Sequence, residues 1–283
     1  MIQNEFDLPA NGTQLHVRAW KPEKPVVGLI VLVHGLGEHC GRYQNVADFF
    51  TREGFVMWGF DLRGHGLTPG PRGHIPSFKV AMDDIDAVLN RAVCENPGVP
   101  VFLYGHSMGG SIVLYYGFKR AAGRSLNGII VTSPGLAVSV PVAPWKRAVA
   151  QTLVRVYPSL PFKNGLNAGN LSRKKEIGEA YLKDPFVHDK ISASLGLDLF
   201  DKGDWMQNTT EAFPVPLLIL QGSSDRVIDP ASIEQFAKKI GKNCQVKIWE
   251  GGYHELHNGP DSIEVLNYIS GWQKAHNPAL PIL

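Results

Sequence analysis

Short apolar runs alternate with segments of helical periodicity along most of the chain. Runs that are apolar at nearly every position are typical of strands covered on both faces of a sheet, whereas apolar residues three and four positions apart indicate helices. The predicted strands are residues 14–20, 26–33, 55–60, 101–104, 128–132, 215–221 and 244–249. The predicted helices are residues 42–53, 78–93, 107–122, 230–241 and 261–274. Because strands and helices alternate, the pattern predicts an α/β fold with a mostly parallel sheet flanked by helices.

The alternation stops at about residue 136 and resumes after about residue 208. Between these points there is no clear strand, and the segments look helical. The pattern therefore predicts a core made of residues 1–135 and 209–283, with residues 136–208 inserted as a helical cap. We expect the cap to lie over the carboxyl ends of the strands, where ligands of such sheets bind.

One helix of the predicted cap is amphipathic. Its apolar stripe contains Trp145, Val149, Leu153 and Val156, and its polar stripe contains Arg147, Gln151 and Arg155. A basic amphipathic helix can lie on a membrane surface or line an entrance for acyl chains. The alternative is that the apolar stripe packs on the protein body while the basic stripe is solvated.

The motif Gly105-His106-Ser107-Met108-Gly109 lies between a predicted strand and a predicted helix. In this setting G-x-S-x-G places the serine on a sharp turn with its hydroxyl clear of the sheet. Glycine suits both outer positions because a side chain there would collide with the strand or the helix. We therefore predict that Ser107 is a nucleophile. The alternative is a glycine-bracketed turn whose serine caps the helix.

A serine hydroxyl becomes nucleophilic when a general base takes its proton and a third group orients that base. In a sheet of this type the three residues follow in the order serine, acid, histidine. Asp225 comes after the strand at 215–221 and is the predicted acid, whereas its rival Asp229 better fits the cap of the next helix. His254 follows the last strand after two glycines and is the predicted base, with His257 as the alternative.

Acyl transfer also needs donors for the oxyanion of the tetrahedral intermediate. The backbone N–H of Met108 directly follows the nucleophile, and that of Leu36 lies in the loop after an early strand, so we predict these two groups as donors. No metal or cofactor site is predicted. In the segment 254–257 the histidines are three rather than four positions apart, and the glycine-rich run at 64–73 lacks the Gly-Lys-Ser/Thr ending of a phosphate loop.

Composition and charge narrow the class of protein. The 283 residues carry a net charge of +2, which gives no basic footprint for nucleic acid. The three cysteines are widely spaced and odd in number, which favours a reducing compartment over a disulfide framework. The acidic start of the chain lacks the pattern of a signal peptide, and no run reaches the roughly 18 apolar residues of a membrane span. We expect a cytoplasmic protein, with peripheral membrane contact through the cap left open.

Several segments together carry a resemblance to a known family. They are His34-Gly35-Leu36-Gly37-Glu38-His39 with Arg42-Tyr43, Asp61 with Arg63-Gly64-His65-Gly66, residues 105–110, residues 221–226, Gly252-Tyr253-His254 with His257, Asn170-Leu171-Ser172-Arg173, and Lys183-Asp184-Pro185. On these segments the chain resembles the α/β-hydrolases, and within them the S33-like group of monoacylglycerol lipases and lysophospholipases.

The resemblance implies an α/β-hydrolase fold that needs no cofactor and a serine hydrolase that cleaves carboxylic esters of single-chain lipids. The implied reaction converts monoacylglycerol to glycerol and fatty acid through an acyl-enzyme on Ser107. Lysophospholipase and general carboxylesterase activities remain alternatives. A non-catalytic lipid-binding module on the same fold is the alternative from another class.

Overall fold

The computed structural model describes residues 1–137 and 144–277, and the side chains of all of these except 144–149. Ten strands lie in these ranges: β1 (Ile2–Ala10), β2 (Thr13–Lys21), β3 (Gly28–Val33), β4 (Phe55–Phe60), β5 (Val101–His106), β6 (Gly128–Thr132), β7 (Pro161–Lys163), β8 (Lys190–Ser192), β9 (Leu217–Gly222) and β10 (Cys244–Trp249). Eight of them form one sheet in the order β1-β2-β4-β3-β5-β6-β9-β10. All neighbours from β4 to β10 pair in parallel, whereas β2 pairs antiparallel with both β1 and β4. The predicted, mostly parallel sheet is confirmed.

Helices cover both faces of this sheet. The described part of the chain contains α1 (Gln44–Arg52), α2 (Phe78–Glu95), α3 (Met108–Arg120), α4 (Pro144–Val156), α5 (Lys175–Lys183), α6 (Ala193–Asn208), α7 (Pro230–Ile240) and α8 (Ser262–Ala275). Helices α1 and α8 contribute to one core cluster, and α2, α3 and α7 contribute to the other. Successive strand residues point to opposite faces, so in β3 Leu29, Val31 and Val33 join one cluster while Ile30 and Leu32 join the other.

The central strands are apolar at almost every position because helices cover both of their faces. Every residue of β3, β4, β5 and β9 is buried. Since parallel strands end at the same edge, the loops after β3, β5, β9 and β10 come together at the carboxyl edge of the sheet. Of the predicted site residues, Leu36, Ser107, Asp225 and His254 lie on these loops, and Met108 is the first residue of α3.

The strand β1 was not predicted. It pairs along its whole length with β2 through a two-residue turn, Asn11-Gly12, in which φ is +44° and +80°. Two consecutive residues with positive φ match the twist of a hairpin, and Asn-Gly is the dipeptide that best adopts this conformation. The Asn-Gly dipeptide was therefore the feature of the sequence from which this hairpin could have been predicted. The alternation of β1 itself is weak because most of its residues are exposed.

The segment 136–208 contains α4, α5 and α6, in agreement with its helical pattern. The expectation that it contains no strand is wrong, because β7 and β8 form a small antiparallel sheet. Each of these strands has three residues, too few to leave a recognisable period. The division of the chain into a core and a cap remains a prediction.

The amphipathic helix of the segment corresponds to α4, which packs against α6. Of its predicted apolar stripe, Leu153 is half-buried and Val156 is 82% exposed. The side chains of Trp145, Arg147 and Val149 lie outside the described residues. In the ranges that the structure describes, every helix is too short or too polar to cross a membrane.

Candidate active site

Ser107 occupies the turn between β5 and α3. Its φ is +53°, in the left-handed region that residues with a side chain rarely adopt. A Cβ added at Gly109 would come within 2.2 Å of Val33 O, and one added at Gly105 within 2.6 Å of Gly109 O. The prediction that side chains at these two positions would collide with their surroundings is confirmed. The Ser107 hydroxyl makes no capping hydrogen bond to α3, which argues against a capping serine.

The structure brings Ser107, Asp225 and His254 together at the carboxyl edge of the sheet. His254 Nε2 lies 2.9 Å from Ser107 Oγ, and His254 Nδ1 lies 2.9 Å from Asp225 Oδ2. His254 and Asp225 are buried, whereas Ser107 is partly accessible. A base within hydrogen-bond reach of a hydroxyl, and itself oriented by a carboxylate, is the arrangement that activates a serine.

Four hydrogen bonds hold the Asp225 carboxylate. Its Oδ1 accepts from the backbone N–H groups of Val227 and Ile228 at 2.8 and 3.0 Å, and its Oδ2 accepts from Gln221 Nε2 and His254 Nδ1, both at 2.9 Å. Burial alone would raise the pKa of Asp225, but His254 and the backbone donors outweigh burial and lower the pKa below its ordinary value. The carboxylate therefore stays charged and is held in one orientation.

The protonation behaviour of His254 follows from the same contact. Burial alone would lower the pKa of His254, but the Asp225 carboxylate, with smaller contributions from Glu255 and Glu38, outweighs burial and raises it. In the neutral ring, Nδ1 donates to Asp225 and Nε2 accepts from the Ser107 hydroxyl. This tautomer is the one in which His254 can take the serine proton.

The two rival residues are occupied elsewhere. Asp229 Oδ1 accepts from Ala231 N at 3.1 Å and caps α7, as the sequence indicated. His257 is fully buried and stacks on the Tyr43 ring with 4.8 Å between centroids. Neither ring nitrogen of His257 has a hydrogen-bond partner in the ranges 1–137 and 144–277. Burial lowers the pKa of His257 to about 4, so this ring is neutral at pH 7.

The loop after β3, residues 34–39, lies directly beside the serine, and we call it the oxyanion loop. A Cβ added at Gly35 would come within 3.3 Å of Ser107 Cβ. His34 fastens this loop to the one after β4, since its Nδ1 donates to Gly35 O at 2.7 Å and its Nε2 accepts from Leu62 N at 2.9 Å. Both ring nitrogens of His34 thus bond backbone groups.

The two predicted oxyanion donors lie where the oxyanion loop meets the serine turn, at Gly35 and Ser107. Met108 comes directly after Ser107, and Leu36 comes directly after Gly35. Among the residues that the structure describes, neither backbone N–H has an acceptor. Neither N–H is therefore used within the described residues, and the role of both groups as oxyanion donors remains a prediction.

A buried ion cluster that sequence reasoning missed joins the oxyanion loop to the loop of His254. Glu38 Oε1 accepts from Gly35 N at 2.7 Å, and Glu38 Oε2 accepts from Arg42. Arg42 also donates hydrogen bonds of 2.8 and 2.9 Å to the two oxygens of Glu255, the residue after His254. We call Glu38, Arg42 and Glu255 the Glu–Arg–Glu cluster. The Gly-Glu-His…Arg-Tyr segment of the resemblance was the signal for it.

Two further side chains have definite environments: His39, the last residue of the oxyanion loop, and Cys40, which follows it. His39 Nε2 lies 2.9 Å from Oδ2 of Asp184, which belongs to the segment 136–208. The Cys40 thiol is fully buried, and burial raises its pKa, which is typical of an unreactive, packed thiol. Within the described residues, no group of three or more His, Cys, Asp or Glu side chains is placed to hold a metal ion.

Comparison with known proteins identifies the family. The model of the hydrolase family described as serine aminopeptidase, S33, matches residues 24–261. The chain belongs to this family. Membership of the family, together with the α/β-hydrolase fold, makes the chain a serine hydrolase, as the sequence predicted.

Individual S33 relatives match over most of the chain. A monoacylglycerol lipase of Mycolicibacterium smegmatis is 32% identical over 94% of this chain and 94% of that protein. The phospholipase YtpA of Bacillus subtilis is 32% identical over 87% of this chain and 94% of its own length. An uncharacterized abhydrolase domain-containing protein of Dictyostelium discoideum is also 32% identical, but the chain spans only 28% of its length.

A solved structure agrees with these matches. The crystal structure of Paleococcus ferrophilus monoacylglycerol lipase superposes with a TM-score of 0.84 and 34% identity, covering 93% of this chain and 99% of that one. The S33 hydrolase fold and the resemblance to the monoacylglycerol lipase group are therefore confirmed.

Proposed function

We propose that this chain hydrolyses monoacylglycerol to glycerol and a fatty acid. The observation that carries the proposal is the continuous hydrogen-bonded chain from Ser107 Oγ through His254 to Asp225. It is supported by the 32% and 34% identity to monoacylglycerol lipases over nearly the whole chain. Ester hydrolysis by such a triad requires two oxyanion donors and water in addition.

Acylation begins when His254 Nε2 takes the Ser107 proton while Oγ attacks the ester carbonyl carbon. The carbonyl oxygen becomes an oxyanion held by the N–H groups of Leu36 and Met108, and each such donor is typically worth ~10²–10³ in turnover. Asp225 stabilises the imidazolium, because its Oδ2 lies 2.9 Å from Nδ1. His254 then gives its proton to the glycerol oxygen, the carbon–oxygen bond breaks, and glycerol leaves an acyl-enzyme.

Deacylation repeats these steps with water. His254 takes a proton from water as the water oxygen attacks the acyl carbon, and the same two N–H groups hold the second oxyanion. Collapse of this intermediate expels Ser107 Oγ, which recovers its proton from His254. The fatty acid then leaves the free enzyme ready for a second turnover.

Hydrolysis of lysophospholipid is the second candidate activity. It is favoured by the 32% identity to the Bacillus subtilis protein named as a phospholipase. The triad treats both esters alike, so residues outside it must distinguish the head groups. Rates on monoacylglycerol, on lysophosphatidylcholine with the same acyl chain, and on a short p-nitrophenyl ester should be measured side by side. Our proposal expects monoacylglycerol to be hydrolysed fastest.

Replacing the nucleophile tests the chemistry. Ser107→Ala should abolish ester hydrolysis and covalent labelling by a fluorophosphonate, because Oγ forms both bonds. Ser270→Ala is the control, since Ser270 is a buried serine that lies on α8, outside the triad. Unchanged labelling of Ser107→Ala would refute the assignment. Tight lipid binding by the unaltered protein, without turnover of any ester, would instead favour the binding module.

We also propose that residues 136–208 form a cap that contacts the membrane carrying the substrate. Of the large apolar side chains that the structure describes as exposed, four lie in this segment: Val156 at 82%, Tyr157 at 53%, Phe162 at 41% and Leu182 at 74%. Lys163 and Lys183 directly follow two of them in sequence. Exposed apolar side chains beside lysines are typical of surfaces that lie on anionic lipid.

Vesicle co-sedimentation tests this contact. Val156→Asp and Leu182→Asp should each reduce binding to vesicles of phosphatidylcholine and phosphatidylglycerol. Ile263→Asp on α8 is the control, because Ile263 is 59% exposed but lies outside the segment. Equal binding by all three variants would show that the segment is not the contact surface.

A further inference from the structure

Asp184, in the segment 136–208, holds the end of the oxyanion loop. Its Oδ2 lies 2.9 Å from His39 Nε2, and the two side chains are only 23% and 9% exposed. Its other oxygen, Oδ1, accepts from Phe186 N at 2.9 Å, which fixes the carboxylate to its own loop. The Phe186 ring packs edge-on against His39, with 5.7 Å between centroids. This hydrogen-bonded pair is thus partly shielded from water and has little freedom to rotate.

A backbone contact joins the same two loops. His188 N donates to Gly37 O at 2.9 Å. The two chains approach so closely that a Cβ added at Gly37 would lie 2.4 Å from His188 O. Residues 184–188 are therefore seated directly on the oxyanion loop, at both Gly37 and His39.

These contacts complete the support of Leu36. Within the loop, His34 and Glu38 hold Gly35 by its carbonyl and its N–H. From the segment 136–208, the contacts just described hold Gly37 and His39. Leu36 lies between the two anchored sides, so the direction of its N–H depends on both. A donor must lie within a few tenths of an ångström of the oxyanion position to be effective.

We propose that Asp184 is a positioning residue for ester hydrolysis, which fixes the oxyanion loop through His39 and so aims the Leu36 N–H at the oxyanion. The proposal rests on the proposed function, since it concerns the same site. If so, residues 184–188 help to hold the oxyanion loop in its catalytic position, in addition to any role of the segment in substrate selection. Loss of the pair should weaken transition-state stabilisation more than substrate binding.

Two variants of Asp184 and one control test the proposal. Asp184→Ala should lower kcat about 10-fold with KM changed less than about 2-fold, because the Leu36 N–H is displaced rather than removed. Asp184→Asn keeps one oxygen to accept from Phe186 N, and its amide nitrogen can donate to His39 Nε2 only in the tautomer in which Nε2 is an acceptor, so it should recover part of the loss. Asp261→Ala is the control, because the Asp261–Arg173 pair also joins the segment 136–208 to the rest of the protein, away from the oxyanion loop.

An inhibitor supplies the readout that a merely structural role would not move. An acyl trifluoromethyl ketone forms a hemiketal whose oxyanion occupies the oxyanion position, so its affinity should fall in Asp184→Ala by the same factor as kcat/KM. The affinity of the fatty acid product, which forms no oxyanion, should stay within about 2-fold. Melting temperatures of all variants show how much of any change follows from lost stability.

Three outcomes would overturn the proposal. In the first, Asp184→Ala and Asp261→Ala lose kcat equally. In the second, the loss in Asp184→Ala is confined to KM. In the third, Asp184→Ala binds the trifluoromethyl ketone as tightly as the unaltered protein does. These differ from failure of the proposed function, in which the unaltered protein itself would neither hydrolyse esters nor react with a fluorophosphonate.

Discussion

Arg42 holds Glu255 by two parallel hydrogen bonds of 2.8 and 2.9 Å, across 213 residues of sequence. Glu255 directly follows His254, and Arg42 also binds Glu38, which holds Gly35 N in the oxyanion loop. One guanidinium therefore connects the loop of His254, the proposed general base, to the loop of Leu36, a proposed oxyanion donor. Because its partners are buried carboxylates, its removal should affect both stability and geometry.

Arg42→Met should destabilise the fold by about 3–5 kcal/mol, since it leaves two buried carboxylates without a counter-charge. Arg42→Lys should destabilise the fold by less than Arg42→Met does, because it keeps the positive charge. It should still be less stable than the unaltered protein, because an ammonium cannot reproduce the bidentate contact. The measurement is the free energy of unfolding in urea. Arg91→Met, which breaks an exposed pair with Glu95, should cost about 0–1 kcal/mol and serves as the control. Equal costs for Arg42→Met and Arg91→Met would contradict the prediction.

The pH dependence of kcat/KM should follow the protonation of His254, which must be neutral to act as a base. Burial alone would lower the pKa of His254, but the Asp225 carboxylate outweighs burial and raises this pKa above its ordinary value of 6.5. Activity should therefore fall as the pH falls through a value above 6.5 and be constant on the alkaline side. In Asp225→Asn this fall should move to lower pH, and the plateau should drop by up to ~10⁴. An unmoved acidic limb in Asp225→Asn would count against the assignment.

Gln221→Leu should lower kcat/KM by roughly 10-fold, the equivalent of one hydrogen bond to a charged group. Gln221 Nε2 donates to Asp225 Oδ2 at 2.9 Å and to Gly222 O at 3.3 Å. Since both partners are acceptors, the amide nitrogen must face them. The pH–rate profile should change as well, because the variant removes a hydrogen bond to the Asp225 carboxylate.

Gln273→Leu is the matched control for that experiment. Gln273 is also fully buried, lies on α8, and has no hydrogen-bond partner for either amide atom among the described residues. Its replacement should leave kcat/KM unchanged and should not lower the melting temperature. A loss of activity that is equal in both variants would mean that Gln221 acts only through general packing.

Gly109→Ala should fail to give active, folded enzyme, because the new methyl group would meet Val33 O at 2.2 Å and His34 O at 2.4 Å. Both contacts are with backbone of the neighbouring strand and loop, which cannot move without displacing the oxyanion loop. Gly271→Ala is the control, since nothing lies within 4 Å of the place that its new methyl group would take on α8. That change should stabilise the fold by about 0.4–1 kcal/mol. Circular dichroism melts and ester assays of both proteins provide the comparison.

Local patterns predicted most of the fold. The strands at 55–60, 128–132 and 244–249 were located without error, because each is a short run bounded by polar or glycine-rich loops. Where the pattern was weak, prediction failed: β1 has exposed residues on most of its length, and β7 and β8 have three residues each. Periodicity cannot identify elements that bury little or that have only three residues, because so few positions do not establish an alternation.

Candidate residues for the chemistry could also be proposed from the sequence. Ser107, Asp225 and His254 could be chosen because each follows a strand in an order that the parallel sheet dictates. The distances between these side chains could not be predicted in this way. His254 and Ser107 are 147 residues apart in sequence, and only the packing of the sheet brings His254 Nε2 to 2.9 Å from Ser107 Oγ. From the sequence, His257 was an alternative candidate for the general base, and only its burial against Tyr43 in the structure argued against it.

The sequence alone thus determined the fold class and the strand-to-helix serine turn, and it was enough to propose the three triad residues, since these depend on composition and spacing within short segments. Tertiary structure decided the rest. The hydrogen bonds between Arg42 and Glu255, and the contact of His39 with Asp184, join residues 213 and 145 positions apart. Such contacts depend on how loops meet at the edge of the folded sheet, and neighbouring residues in the chain carry no periodic trace of them.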